Sequence, residues 1–258
     1  MDGLTIASSM PAQNGSILAC VDIGLRLGGR QILDGVSLDI RPGQVLGIAG
    51  PNGAGKTSLF EVLSGRQRRH AGQVRLAGHD VGRLPSHVRA RRGLGRTYQR
   101  PIVPYSLTVG ETLEAARRAV RPRPHHLRVD WARDLVHLHA TDSMLAGSLE
   151  TLERRKLMLA CLMLRGPRVL LMDEPASGLT GSEIDEIDLF IRTVSLEHGV
   201  AVALVEHRLE LLAAVAERVV ILDVGKVIAD GAAETVFDDP AVRAAYFESE
   251  AVPTVAPS

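Results

Sequence analysis

The octapeptide Gly50-Pro51-Asn52-Gly53-Ala54-Gly55-Lys56-Thr57 follows a nearly all-apolar pentapeptide, Val45-Leu46-Gly47-Ile48-Ala49. A helical stretch from Thr57 to Leu63 comes next. Apolar residues on both faces of so short a segment predict a strand buried on both sides. A buried strand that enters a glycine-rich loop and then a helix fits few architectures, and the spacing matches G-x-x-x-x-G-K-[ST]. Gly50, Gly53 and Gly55 allow positive φ, so successive N–H groups can turn inward on an anion. The helix that follows adds the partial positive charge of its N-terminus. Lys56 brings a compact ammonium to the β- and γ-phosphates, and the Thr57 hydroxyl is a ligand for Mg²⁺. The bland alternative is a glycine-rich turn holding a stray lysine. It is weakened because the chain has only three lysines, Lys56, Lys156 and Lys226, against 27 arginines. The expected nucleotide-binding set is therefore Gly50, Pro51, Asn52, Gly53, Ala54, Gly55, Lys56, Thr57 and Ser58.

A second buried strand completes such a site. Val169-Leu170-Leu171-Met172 is apolar throughout and ends in Asp173-Glu174. Ligands of open α/β sheets bind at the carboxyl ends of the strands, which is where these acids emerge. Asp173 is expected in the Mg²⁺ shell and Glu174 as general base on the attacking water, a role worth roughly 10²–10⁴-fold in rate. An acidic pair at a strand end can also be a helix cap; beside the glycine-rich loop the catalytic reading takes precedence.

The rest of the chain reads as α/β with a mostly parallel sheet, an antiparallel β subdomain and a helical subdomain. From Ile17 to Ile40, Gly28-Gly29 and Asp34-Gly35 mark turns between antiparallel strands. Val74 to Leu76 with the Ala77-Gly78 turn adds edge strands. Residues from about 100 to 165 form a helical insert. Its helices are expected at Thr108 to Val120, with Thr108 and Glu111 as a helix start, at Asp130 to His139, and at Leu152 to Leu164. Pro122 and Pro124 break the first of these. Strands at Val200 to Val205 and Val219 to Leu222 follow. Residues 16–248 are read as a single domain, with 1–15 and 249–258 as flexible tails.

Composition narrows the function classes. The 30 basic and 30 acidic residues cancel, so a polycationic coat for nucleic acid is excluded and no nucleic-acid partner is expected. The charge is nonetheless split: a net of +9 from Arg66 to Arg100 and of −12 from Asp173 to Glu250. Two cysteines, Cys20 and Cys161, cannot make a disulfide framework. Apolar runs are too short to span a bilayer, so the chain reads as soluble. His125-His126 and His137-x-His139 lack the i, i+4 spacing of a helical metal pair. Trp131 and Leu135 read as core.

Taken in order, the loop Gly50–Thr57, Gln99, and Asp173-Glu174-Pro175 with His207 resemble the ATP-binding subunits of ABC transporters across residues 16–248. The resemblance implies a P-loop ABC ATPase that uses ATP and Mg²⁺. Gln99 is then the glutamine that senses Mg²⁺ and couples to the membrane domain, and His207 is the switch histidine at the γ-phosphate. Leu84-Pro85-Ser86-His87, Arg91 to Gln99, Val205-Glu206-His207 and Val236 to Phe247 narrow it further. They are similar to the ATPases of branched-chain amino acid importers. Implied partners are a second ATPase subunit, membrane permease subunits and, indirectly, an external solute-binding protein. The implied location is the cytoplasmic face of the inner membrane. A regulatory ATP-binding subunit and a soluble, non-transport ATPase of the same fold are the alternatives.

The chain departs from that pattern in three places. The family's signature, a leucine-serine-glycine-glycine-glutamine run, falls at Leu149-Glu150-Thr151-Leu152-Glu153. Glu150 places a carboxylate where a phosphate of the partner's ATP is expected, and Leu152 replaces a glycine. A register starting at Leu145 recovers Gly147 and Ser148 but needs four extra residues. No aromatic lies between Ser16 and Ala49 to stack on adenine near Leu27, which leaves Arg26 or Arg30 as guanidinium substitutes. Finally, Thr180 stands where the loop after Pro175 usually carries an aspartate.

Overall fold

The computed structural model describes residues 15–121 and 124–247. The expected leader and tail, and Pro122, lie outside the described residues, except Gly15 at the leader's end. A six-stranded sheet runs through the molecule in the order β10-β9-β3-β8-β7-β6. Its parallel strands are β3 (Val45–Ala49), β6 (Leu94–Arg96), β7 (Val169–Asp173), β8 (Ala201–Val205) and β9 (Arg218–Asp223). β10 (Lys226–Ala232) closes one edge antiparallel to β9. Every residue of β3, β7 and β8 is buried, because both faces are covered. Leu170, Met172, Val202 and Leu204 point into one core, and Val169, Leu171, Ala201 and Ala203 into the other. Each such large side chain contributes roughly 1.5–3 kcal/mol through burial, which explains why these strands read as unbroken apolar runs.

The first core is closed by α3 (Val109–Arg118), α4 (Leu127–Leu135), α5 (Thr151–Met163), α6 (Gly181–Leu196) and α7 (Leu209–Val215). The second is closed by α1 (Lys56–Ser64) and a four-stranded antiparallel sheet. That sheet has the order β2-β1-β4-β5, from β1 (Leu18–Leu27), β2 (Arg30–Ile40), β4 (Ala71–Leu76) and β5 (His79–Asp80). α2 (Ser86–Arg91) precedes β6, and α8 (Pro240–Phe247) follows β10. No helix among the described residues is long and apolar enough to cross a membrane.

Three sequence expectations change here. Gly28-Gly29 does form the β1–β2 turn, but Asp34-Gly35 lies inside β2. Ile23 pairs with Val36 while Leu25 pairs with Leu33, so β2 carries one extra residue, a bulge at which Gly35 adopts φ +71°. The helix expected at Asp130 to His139 instead spans Leu127–Leu135. It ends before His137, which turns left-handed at φ +50°. Lys56, rather than Thr57, opens α1, and the remaining helices of the insert lie where the sequence places them.

Candidate nucleotide site

Register brings the candidate residues together. Ile48 pairs with Val205 across β3 and β8, and Asp173 pairs with Val205 across β7 and β8. The three strands therefore finish level. Their carboxyl ends deliver the glycine-rich loop, Asp173-Glu174 and Glu206-His207 to one edge.

Gly50, Gly53 and Gly55 hold φ of +144°, +81° and +103°. A Cβ on Gly50 would overlap the Leu222 carbonyl oxygen, and one on Gly55 would lie 2.8 Å from Leu33 Cδ2. The loop is thus wedged between the end of β9 and the β2 bulge, and Gly225 N–H donates to the Ala54 carbonyl at 3.0 Å. Lys56 is buried. Its ammonium donates to the carbonyls of Gly50 at 2.6 Å and Pro51 at 3.0 Å. Burial lowers its pKa, while the charges of Glu174 and Asp173 act against that. Thr57, Asn52 and Gly53 are exposed, Pro51 and Ser58 half-buried.

Asp173 is 2% exposed. Its N–H donates to Thr97 Oγ1 at 3.2 Å, and its Oδ2 lies 3.7 Å from the Arg96 guanidinium. Arg96 also donates to Ser64 Oγ at 2.8 Å, which links β6 to the end of α1. The other carboxylate oxygen, Oδ1, is buried without a hydrogen bond. Burial raises the Asp173 pKa, and Arg96 opposes the rise. An idle buried carboxylate oxygen together with an exposed hydroxyl at Thr57 makes a hard oxygen donor set. Those residues fit Mg²⁺.

Glu174 takes φ +46° and donates its N–H to the Val205 carbonyl at 2.9 Å. A left-handed glutamate costs on the order of 1–3 kcal/mol. That backbone turn leads its carboxylate to His207, with Oε1 and Nε2 separated by 2.7 Å. The histidine ring is half-exposed. Beside it, Glu206 is buried and its Oε1 accepts the Ala176 N–H at 3.0 Å. Burial raises the Glu206 pKa; the backbone N–H groups of Ala176 and His207 act the other way. Gln99 is exposed, and it is its backbone carbonyl that is held, by Arg155 at 3.5 Å. Nothing in the sequence pattern assigns a role to Thr97, Arg155 or Glu206. Glu206 did carry a signal, since it ends an apolar strand as Asp173 does.

The departures from the family pattern also have locations. α5 begins at Thr151 with exposed Glu150 as its N-cap, and Leu149 and Leu152 are buried. Ala146–Ser148 forms a separate short 3-10 turn. Glu153 faces inward, accepting from His139 and Ala140 N–H at 3.2 and 3.0 Å. Leu27, at the β1–β2 turn, is 41% exposed. Arg26 is engaged with Gln31 at 2.6 Å. Thr180 caps α6 in a reciprocal pair with Glu183.

Comparison with known proteins places the chain in a family. The family described as ABC transporter matches residues 33–177. The high-affinity branched-chain amino acid transport ATP-binding protein BraF of Pseudomonas aeruginosa is 33% identical over 249 residues, covering 89% of this chain and 97% of its own length. The lipopolysaccharide export system ATP-binding protein LptB of Escherichia coli K12 is 33% identical over 222 residues, covering 84% and 91%. Among solved structures, a nucleotide-free ATP-binding cassette from an ABC transporter superposes with a TM-score of 0.80 at 23% identity, covering 90% of this chain and 98% of that one. At that identity the likeness speaks to the fold.

Proposed function

The chain belongs to the ABC transporter family, and on that premise we propose that it is the ATP-hydrolysing subunit of an importer for branched-chain amino acids or a related small solute. The observation that carries hydrolysis is the Glu174–His207 pair, 2.7 Å apart at the strand edge that also presents the glycine-rich loop. The loop N–H groups and Lys56 bind the triphosphate. Asp173 and Thr57, with Gln99, would hold Mg²⁺, which when bound neutralises phosphate charge. Glu174 orients the attacking water and accepts its proton. His207 fixes the Glu174 carboxylate through Nε2, and the left-handed backbone at Glu174 pre-sets that aim.

Import is supported by the branched-chain relative, 33% identical over 249 residues, and by the residues from Arg96 to Gln99. LptB relatives of similar identity serve export, so the permease decides direction. A cavity of about 250 Å³ beside β6, lined by His87, Arg96, Tyr98, Leu162 and Arg165, suits an acidic permease loop. The subunit would thus sit peripherally on the cytoplasmic face of the membrane and pair with a second ATPase. A regulatory role is the second reading, favoured by one observation: exposed Glu150 at the N-terminus of α5.

The test is steady-state ATPase activity of the complex with permease and partner ATPase. Glu174→Gln is expected to lower turnover at this chain's site by roughly 10²–10⁴-fold. Unchanged turnover would remove the catalytic assignment and favour the regulatory reading.

A further inference from the structure

Arg155 lies in the middle of α5 and is 2% exposed. Burying a guanidinium is costly unless its N–H groups are satisfied. Here they are directed at backbone carbonyls of two separate loops. Nη1 donates to Pro175, and Nη2 to Ser177 at 3.1 Å and to Gln99 at 3.5 Å. Five N–H donors in a rigid planar fork allow one side chain to serve several acceptors at once. The first loop begins directly after Glu174; the second follows β6. From the other side, Glu206 accepts the Ala176 N–H at 3.0 Å. Residues 175–177 are thus held by their carbonyls from α5 and by an N–H from the end of β8.

That double hold bears on Glu174. A non-glycine residue at positive φ persists where its surroundings over-determine it, and the next three residues are those fixed by Arg155 and Glu206. Arg155 is also five positions from Glu150, about 7.5 Å along the helix axis at 1.5 Å per residue. A shift of the α5 N-terminus therefore carries the guanidinium with it.

We infer that Arg155 is a positioning residue for hydrolysis, a brace that ties the orientation of α5 to the geometry of Glu174 and of the Gln99 loop. This rests on Glu174 acting as general base. The contacts proposed for the triphosphate lie in Gly50–Thr57, which Arg155 does not touch, so the brace acts on turnover more than on ATP affinity.

The experiment uses the full complex of this chain with its partner ATPase and permease, comparing wild type, Arg155→Met, Arg155→Lys and Glu174→Gln. Misplacing a catalytic group by about 1 Å can cost on the order of 10²-fold in rate. Arg155→Met is expected to lower kcat by about that factor while KM and the equilibrium affinity for ATP stay within about threefold. Arg155→Lys, which keeps the charge but not the fork, is expected to fall between the two. A proportionate loss of kcat and ATP affinity would reduce Arg155 to a structural residue, and unchanged kcat would remove the brace. If Arg155→Met does not fold, Arg155→Lys decides by the same criteria. Unchanged turnover in Glu174→Gln sinks the general-base reading and the brace with it. An inactive Glu174→Gln beside a fully active Arg155→Met sinks the brace alone.

Discussion

Asp173 and Glu174 are adjacent, yet their surroundings treat them oppositely. Asp173 is buried with one idle oxygen, while Glu174 reaches a half-exposed histidine. Burial raises the folded-state pKa of Asp173, so ionisation penalises the fold. That penalty is present above the folded-state pKa and disappears as pH falls through it. Asp173→Asn, neutral throughout, should therefore melt higher than wild type at pH 8, with the gap closing toward acid pH. Each kcal/mol recovered corresponds to about 2–4 °C in a chain of this size. A lower melting temperature at pH 8 would mean that attraction to Arg96 outweighs burial. Asp173 is legible in the sequence because an acid there terminates an apolar strand. Glu206 ends β8 in the same way, but its partner Ala176 is 30 residues distant and only folding joins them. Arg155 gives less warning still, as the middle of three consecutive cations, Arg154-Arg155-Lys156, in a helix whose other core-facing residues are mostly apolar.

Among the elements, α3 shows how local chemistry announces itself. Thr108 Oγ1 accepts the Glu111 N–H at 3.2 Å, and the Glu111 carboxylate accepts the Thr108 N–H at 2.8 Å. Thr108→Ala removes one half of this reciprocal cap and should cost about 1 kcal/mol, seen as a drop of about 2–4 °C in thermal melting. No change in melting would show that packing on α5 alone holds α3 in place. Elements without such chemistry are harder to read. β6 has three residues, one of them Gly95, too few for a periodicity. α2 has no apolar stripe. It is anchored by the buried Arg89, which donates to the carbonyls of Val62, Leu63 and Leu84 at 2.7–3.0 Å. A side chain that docks through charge leaves no hydrophobic pattern. The β2 bulge shows the reverse error, because Asp-Gly is turn chemistry that the register of β1 overrides.

At the scale of the whole molecule, the basic stretch from Arg66 to Arg100 is not all surface. Arg89 and Arg96 are drawn inward, and Arg69 donates to the carbonyls of Gly72 and Gly82, while Arg66, Arg91 and Arg92 remain exposed. In the proposed pairing of two ATPases, Glu150 is the residue to test. With this chain's own site disabled by Glu174→Gln, adding Glu150→Ser should raise the remaining turnover of the complex by about tenfold or more, since an electrostatic donor site would replace a carboxylate. Unchanged turnover would show that Glu150 does not limit the partner's site. Leu152 should be left alone in that test. It is buried, and removing it would cost about 2–5 kcal/mol of core packing. The scarcity of lysine has a practical side as well. Lys56 and Lys156 are 6% and 3% exposed, whereas the Lys226 side chain is 63% exposed. An amine-reactive dye thus has one accessible lysine in the folded chain. That lysine follows Gly225, whose N–H is bonded to Ala54 in the glycine-rich loop, so a fluorophore placed there would report on that loop.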